Sequence, residues 1–168
     1  MKKILLIATV IFLGLFGALQ VVMFVARPTP VEELRIKVAG LPSIKLTAPD
    51  GSQFELETGK PLILIYFNSE CDHCQRELEE VGNNMSLFSS TTLVLMSSQS
   101  QEEITQFVDK AGFKEYPNVR FGRIRPEELS ERFGTLALPQ IFIYSSEGNL
   151  ITLFSGETKP SEIAASLR

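Results

Sequence analysis

Cysteine and histidine are scarce in this sequence, and tryptophan is absent. Its 168 residues include two cysteines, one histidine and no tryptophan. A framework of structural disulfides needs several cysteines spread along the chain, so that class of fold is excluded. A zinc site needs about four ligands, whereas Cys71, Cys74 and His73 are the only cysteines and histidine in the chain. We therefore predict no metal site and no bound cofactor.

An excess of positive charge is also absent. The chain has 16 Lys and Arg against 20 Asp and Glu, which gives a formal net charge of −4. Proteins that bind nucleic acid usually present a basic face to the phosphates. The sequence also contains no internal repeat, no low-complexity tract and no glycine-rich phosphate loop. We therefore expect no nucleic-acid partner.

The two cysteines that are present lie in a single motif. Cys71-Asp72-His73-Cys74 follows the apolar run Leu62–Phe67, which predicts a buried strand leading into a helix. Two cysteines with this spacing at such a junction suit a reversible dithiol–disulfide couple. Cys71 would lie at the first turn of the helix, where unpaired N–H groups and the helix dipole favour a thiolate. Because Cys74 would be shielded one turn further along, we predict Cys71 as the nucleophile and Cys74 as the resolving thiol.

The N-terminal segment is long and apolar. Between Ile4 and Ala26 it has no charged residue, and as a helix it would reach roughly 35 Å, enough to cross a ~30 Å hydrocarbon core. A cleaved signal peptide is the alternative, but its apolar region is usually about 7–15 residues and ends in a small-x-small site. Here Phe24 stands where a small residue is needed. Because Lys2 and Lys3 should stay in the cytoplasm, we predict a single-pass anchor with the remaining chain outside the cytoplasm.

The rest of the chain divides into a linker and one domain. We predict residues 1–27 as the anchor, 28–40 as the linker and 41–168 as a domain of about 130 residues, large enough for its own core. Alternating polarity predicts a hairpin over Ile44–Leu46 and Phe54–Leu56. Further strands are predicted at Leu62–Phe67, Thr92–Met96, Ile141–Tyr144 and Leu150–Phe154. Helices are predicted after Cys71 and at Ile104–Ala111, Pro126–Phe133 and Pro160–Leu167. This order predicts an α/β sandwich with a mixed central sheet.

Three segments together carry the pattern of a known family. They are Ala48–Gly51 with its hairpin, Tyr66–Glu77 with the spacing aromatic-x-x-x-x-C-x-x-C-x-x-E, and Leu138–Ile143 with a proline ahead of a strand. From Leu41 onward the chain resembles the thioredoxin fold, specifically the membrane-anchored TlpA/ResA-like redoxins of bacteria. The resemblance implies a three-layer sandwich around a mixed sheet, preceded by an N-terminal hairpin and one transmembrane helix. It also implies a location on the periplasmic side of the bacterial cytoplasmic membrane.

The resemblance assigns roles beyond the two cysteines. Glu77 matches the glutamate that tunes the family's dithiol by accepting or supplying a proton, and an ordinary solvated helix carboxylate is the alternative. The Leu138–Pro139 peptide bond is expected to be cis and to face the dithiol, and a trans proline at the start of a strand is the alternative. Such a proline offers the backbone of Leu138 to the substrate and keeps metal ions away from the thiols.

Three positions depart from the family pattern. His73 stands where proline is common, Glu70 replaces the usual tryptophan, and Ile65 occupies the position of thioredoxin's buried aspartate. If cationic, His73 would stabilise the Cys71 thiolate and make the protein an oxidant, as in DsbA-like proteins with histidine at this position. Negative charge at Asp72 and Glu70 would act in the opposite direction. A solvated His73 with little effect is the alternative.

The resemblance implies a thiol–disulfide oxidoreductase that acts on protein dithiols and disulfides. We predict a monomeric, membrane-anchored reductant supplied by an upstream membrane thiol reductant, and keeping haem-attachment cysteines of c-type cytochromes reduced is one such task. A DsbA-like disulfide donor is the alternative. A thiol peroxidase needs Thr or Ser three residues before the reactive cysteine, where this chain has Asn68. A copper-delivery module, the non-enzymatic alternative, typically has three residues between its cysteines and a distant histidine, and this chain has neither.

Overall fold

The described part of the protein falls into two compact units. The computed structural model describes residues 2–25 and 29–167, and the chain divides after Glu33. Helix α1, Lys2–Val25, lies in the first unit. No helix among the described residues is long and apolar enough to cross a membrane, so the predicted transmembrane helix is not confirmed. The predicted junction between anchor and linker, at residues 27 and 28, lies outside the described residues.

The elements that follow α1 build one mixed sheet with helices on both faces. In chain order they are α2 Pro30–Lys37, β1 Lys45–Thr47, β2 Gln53–Glu55, β3 Leu62–Tyr66, α3 Asp72–Asn83, β4 Thr92–Ser97, α4 Gln101–Lys110, β5 Val119–Arg123, α5 Pro126–Phe133, β6 Gln140–Tyr144, β7 Leu150–Ser155 and α6 Pro160–Ala165. The seven strands lie in the order β2-β1-β5-β4-β3-β6-β7. Strands β3, β4 and β5 are parallel, whereas β6, β7 and the β1–β2 hairpin pair in antiparallel fashion.

The sheet separates two apolar clusters, because alternate side chains of a strand point to opposite faces. Ile63 and Ile65 of β3 lie in the cluster covered by α3, α4 and α6. Leu62 and Leu64 of the same strand lie in the cluster covered by α5, the β1–β2 hairpin and the end of α2. All four side chains are at most 1% exposed. The predicted α/β sandwich with a mixed central sheet and an N-terminal hairpin is confirmed.

Part of the predicted linker, residues 28–40, forms helix α2, and the second half of this helix, from Leu34 onward, belongs to the second compact unit. The N–H of Thr29 donates to Glu32 Oε2 at 2.7 Å, and the N–H of Glu32 donates to Thr29 Oγ1 at 3.3 Å, which caps the start of α2. Leu34 and Val38 then fall one turn apart on the same side, and they are 9% and 0% exposed. The compact unit therefore begins earlier than the predicted domain, because two apolar side chains of the linker complete its core.

Strand β5 is missing from the sequence-based prediction. It carries Arg120 and Arg123 among its five residues, so it shows neither an apolar run nor a clean alternation. It forms because it lies between β4 and β1. The Arg120 guanidinium lies 3.7 Å from the centroid of the Phe54 ring, and Arg123 Nε donates to the Gln99 carbonyl at 2.8 Å. Both arginines are therefore accommodated by partners that are distant in sequence.

Gly122 of β5 allows the β1–β2 hairpin to pack closely. A Cβ at this position would lie 2.6 Å from the Leu46 Cβ and 3.0 Å from the Phe54 ring. We expect Gly122→Ala to destabilise the fold by about 1–3 kcal/mol, because overpacking forces shifts of backbone and rotamers. Urea unfolding measures this against the control Gly40→Ala, where a Cβ has open space. Equal unfolding midpoints for the two variants would refute the close packing.

Candidate active site

Cys71 occupies the position immediately before helix α3. Its backbone is extended, with φ −88° and ψ 115°, and its side chain caps no N–H group of the helix. The residue is partly exposed, and its sulfur lies 4.0 Å from the carbonyl oxygen of Leu138. The N–H of Cys71 donates to the Asn68 carbonyl at 3.2 Å, which fixes the turn that leads into the helix. The first thiol is therefore accessible at a helix N-terminus.

Cys74 lies on the buried side of the same helix. It is 0% exposed and belongs to the apolar cluster under α3. Burial raises the pKa of the Cys74 thiol to about 12, and the neighbouring Cys71 sulfur and the charge of Glu77 add to this increase. Both cysteines are free thiols in this structure. At neutral pH Cys74 is therefore a protonated, shielded thiol, and its reaction needs a base. The difference in exposure between Cys71 and Cys74 agrees with a nucleophilic Cys71 and a resolving Cys74, and these roles stay a prediction.

Glu77 is buried one turn beyond Cys74. Its side chain is 2% exposed, Oε2 accepts a hydrogen bond from the Thr158 N–H at 2.7 Å, and Oε1 has no partner among the described residues. Burial raises the pKa of Glu77 to about 7, the charges of Glu157 and Glu80 add to the increase, and the Thr158 hydrogen bond opposes it. The alternative of a solvated carboxylate is therefore wrong. A carboxyl group with this pKa can gain or lose a proton near neutral pH.

The loop before β6 brings Leu138 to the dithiol. Strands β3 and β6 are antiparallel neighbours with Tyr66 opposite Gln140, so the segment after β3 and the segment before β6 meet at one edge of the sheet. The Leu138–Pro139 bond is cis, which is the isomer that the resemblance predicts. Leu138 is 37% exposed, and the Gly156 N–H donates to the Pro139 carbonyl at 2.8 Å. A substrate-binding role for Leu138 and Pro139 stays a prediction.

His73 lies in a charged cluster that the sequence does not predict. Its Nδ1 contacts Oε1 of Glu157, in the loop after β7. Arg76, one turn further along α3, donates to the same Glu157 oxygen at 2.7 Å. The hydrogen bond from Arg76 and then that from His73 lower the pKa of Glu157 to about 2. A positive charge on His73 would therefore interact with the Glu157 carboxylate as well as with the dithiol.

The contacts of His73 Nδ1 depend on its protonation. An Arg76 guanidinium nitrogen lies 2.9 Å from Nδ1, and arginine can only donate a hydrogen bond. Nδ1 therefore accepts from Arg76 when it carries no proton and donates to Glu157 when it does. The two contacts are therefore alternatives.

We expect Glu157→Gln to favour the reduced form of the dithiol. Without this carboxylate, the positive charge of Arg76, and of His73 when protonated, is uncompensated beside Cys71 and stabilises a thiolate. The equilibrium with glutathione should shift toward the dithiol by about twofold to fivefold, as is typical of exposed charges. Glu147→Gln, in the turn of the β6–β7 hairpin, is the control. An unchanged equilibrium, a shift toward the disulfide, or an equal shift in the control would contradict this effect of Glu157 on the dithiol.

The sequence itself identifies the family. The profile of the thioredoxin-like domain matches residues 55–168, which is more than half of the chain. No curated protein sequence matches the chain. The match begins within β2 and includes the cysteine motif, Glu77 and the Leu138–Pro139 loop. The thioredoxin fold that the resemblance implied is therefore confirmed.

Solved structures with the same fold are distant in sequence. A secreted Mycobacterium tuberculosis disulfide oxidoreductase homologous to E. coli DsbE has 18% identity and a TM-score of 0.61, and the match covers 74% of this chain and 93% of that protein's chain. MTB DsbF, solved in its mixed oxidized and reduced forms, has 22% identity and a TM-score of 0.62, covering 75% and 96%. Arabidopsis thaliana ScoI, solved with copper bound, has 15% identity and a TM-score of 0.59, covering 76% and 97%. These structures share the fold, and the profile match over residues 55–168 shows that the chain belongs to the thioredoxin-like family.

Proposed function

We propose that this protein is a thiol–disulfide oxidoreductase that exchanges disulfides with protein substrates through Cys71 and Cys74. The observation that carries the proposal is the unequal exposure of two thiols at one helix N-terminus, with Cys71 partly exposed and Cys74 0% exposed. In such a pair the accessible thiol reacts with the substrate, and the shielded thiol reacts within the mixed disulfide. Membership of the thioredoxin-like family supports the same chemistry.

Reduction of a substrate begins at Cys71. Its thiolate attacks one sulfur of the substrate disulfide, a disulfide between Cys71 and the substrate forms, and the other substrate sulfur leaves as a thiolate that takes a proton from water. Cys74 then attacks the Cys71 sulfur, which forms the Cys71–Cys74 disulfide and releases the second substrate thiol. Two electrons pass from the protein to the substrate, and the reverse sequence oxidises a dithiol.

In this proposal Glu77 accepts and returns the proton of the resolving thiol, Cys74. Cys74, with a pKa of about 12, must lose its proton to attack. Glu77, with a pKa of about 7, is near enough for its charge to act on that thiol. Ionised Glu77 accepts the proton, directly or through one water, as Cys74 attacks. In the reverse direction protonated Glu77 returns the proton to Cys74.

The proposal is tested by mixing the reduced full-length protein with a peptide that contains one intramolecular disulfide. We expect equimolar reduction of the peptide and loss of two hydrogen atoms from the protein at Cys71 and Cys74, both followed by mass spectrometry. Cys71→Ser is the control and should not react. If the wild-type protein exchanges no disulfide with the peptide, the proposed function is wrong.

In this proposal an N-terminal anchor holds the domain on the periplasmic side of a bacterial cytoplasmic membrane. Its support is the uncharged stretch from Ile4 to Ala26, which follows Lys2 and Lys3. The domain then acts as a monomer that an upstream membrane thiol reductant supplies with electrons. A membrane-impermeant maleimide should label Cys71 in intact cells, and labelling only after lysis would count against this location.

A reducing role is supported by the charges around Cys71. Glu70 and Asp72 are exposed carboxylates adjacent to it in sequence, and negative charge beside a thiol disfavours the thiolate and so the reduced state. The alternative of a DsbA-like oxidant rests on His73, which pairs with Glu157, a carboxylate that Arg76 also contacts. One reducing task that fits is keeping the haem-attachment cysteines of c-type cytochromes reduced.

Copper delivery is the non-enzymatic alternative, because ScoI with copper bound shares the fold. Within residues 2–25 and 29–167, no group of three or more Cys, His, Asp or Glu side chains is arranged to hold a metal ion. A stable one-to-one Cu(I) complex that survives competition with a chelator would favour this alternative, and its loss to the chelator would disfavour it.

A further inference from the structure

A groove lies between α3 and α4 and reaches the segment that precedes Cys71 in sequence. It has a volume of about 610 Å³, and it is lined by Glu70, the residue before the nucleophile. Its apolar lining consists of Leu78, Phe107, Ala111 and Phe113. Leu78 and Phe113 are 2% exposed, whereas Phe107 is only partly buried and packs on the Phe67 ring with centroids 5.0 Å apart. The groove therefore offers the Phe107 ring as an apolar contact in the same lining as Glu70.

The rim of the groove is acidic. Glu70, Glu79 and Glu103 line it against one basic residue, Lys110. Hydrogen bonds from Ser100 lower the pKa of Glu103, so this carboxylate stays ionised at neutral pH while it also caps α4. Three acidic side chains against one lysine give the rim a net negative charge. An apolar contact within a negative rim is complementary to a partner that carries both apolar and positive groups.

We propose that this groove binds the part of a substrate protein that flanks its reacting cysteine, and that it selects segments with Lys or Arg next to an apolar side chain. The inference rests on the proposed function, because disulfide exchange at Cys71 is what brings a substrate chain to this place. The helix from Cys71 to Glu79 rises about 12 Å, which an extended chain spans in about four residues. An apolar side chain on Phe107 and a basic one beside Glu79 are therefore within reach of a cysteine bonded to Cys71.

The test compares the rates at which the reduced full-length protein reduces three peptide disulfides of equal length. One peptide carries Lys-Leu about four residues from its cysteine, the second carries Glu-Leu there, and the third carries Lys-Ser. We expect the Lys-Leu peptide to react about tenfold faster than the Glu-Leu peptide at low salt, and the ratio to fall at about 0.5 M NaCl, because salt screens attraction between exposed charges. The Lys-Ser peptide should lose several-fold in rate relative to Lys-Leu.

The groove itself is tested with Glu79→Lys, and Glu131→Lys on α5 is the control with the same change in net charge. The preference for Lys-Leu over Glu-Leu should vanish or reverse in Glu79→Lys and persist in Glu131→Lys. Hydroxyethyl disulfide, a small neutral compound that cannot span the groove, should be reduced by all three proteins, and the control Glu131→Lys should match the wild-type rate. If none of them reduces it, the proposed function fails. If all reduce it but the peptides react alike, or both variants keep the preference, only the docking inference is overturned.

Discussion

Replacing Cys74 with serine should turn the protein into a trap for its substrates. Cys71 still attacks a disulfide in this variant, but no second thiol is left to resolve the mixed disulfide. In the wild type that step is intramolecular, and well-oriented intramolecular reactions reach effective concentrations of about 10⁵ M or more. We therefore expect the mixed disulfide of Cys74→Ser to persist at least about a thousandfold longer than that of the wild type. It should appear as a covalent adduct on non-reducing gels and in mass spectra.

Cys71→Ser is the matched control for the trap. The remaining Cys74 is 0% exposed, and burial, the largest cause of its raised pKa, is retained in this variant, so little thiolate forms at neutral pH. We expect this variant to form no adduct with a peptide disulfide and to react slowly with iodoacetamide. If Cys71→Ser instead traps as much substrate as Cys74→Ser, the nucleophile has been assigned to the wrong cysteine.

Replacing Glu77 with glutamine should make the stability of the fold less dependent on pH. The pKa of Glu77 is raised from 4.5 to about 7 in the folded protein. Between these values the folded state holds a proton that the unfolded state has lost, so the free energy of unfolding falls as the pH rises. This loss is complete above the folded pKa and amounts to on the order of 3 kcal/mol. Glutamine carries no charge to desolvate and keeps an acceptor for the Thr158 N–H, so the variant escapes the loss.

Urea unfolding at about pH 5 and about pH 8.5 measures this effect. Between these conditions the wild type should lose on the order of 2 kcal/mol more than Glu77→Gln does. Any free-energy cost of burying the amide NH₂ group of the glutamine is the same at both pH values, so it cancels in the difference between them. Glu79→Gln, an exposed carboxylate on the same helix, should follow the wild type. Parallel pH profiles for the wild type and Glu77→Gln would rule out a buried carboxyl group with a raised pKa.

The same Glu77→Gln variant should also slow the resolving step. Positioned general bases contribute about 10²–10⁴ in rate, and water can partly replace a missing one. We therefore expect resolution by Cys74 to slow by about tenfold to a hundredfold at neutral pH, while the first attack by Cys71 keeps its rate. Rapid-quench experiments should then show a mixed disulfide that accumulates in Glu77→Gln and not in Glu79→Gln. Equal accumulation in both variants would remove Glu77 from the proton transfer.

The central strands could be predicted from the sequence because each of them is buried on both faces. Strands β3, β4 and β6 are nearly continuous apolar runs, as such burial requires. Strand β5 lies beside β4 but carries Arg120 and Arg123. These arginines are satisfied by the Phe54 ring and the Gln99 carbonyl, which the chain brings together only on folding. No local pattern could therefore indicate this strand.

The candidate site divides in the same way. The spacing of Cys71 and Cys74 on one predicted helix is enough to indicate which thiol is shielded. Glu77 needed the family resemblance, because a carboxylate at that position is equally typical of a solvated helix. Glu157 could not be predicted at all, since it reaches His73 from a loop 84 residues away in sequence. That contact exists only because the antiparallel β6–β7 hairpin returns the chain to α3.

The reduction potential of the Cys71–Cys74 couple decides whether these two thiols form a reducing redox pair. It is measured in the full-length protein by equilibration with glutathione or dithiothreitol. We predict one two-electron transition at or below the potential of thioredoxin, about −270 mV, as expected of a reductant. A potential near that of DsbA, about −120 mV, would contradict the reducing role and would mean that His73 outweighs the acidic groups around it. If no intramolecular disulfide forms at all, the proposed enzyme activity itself is contradicted.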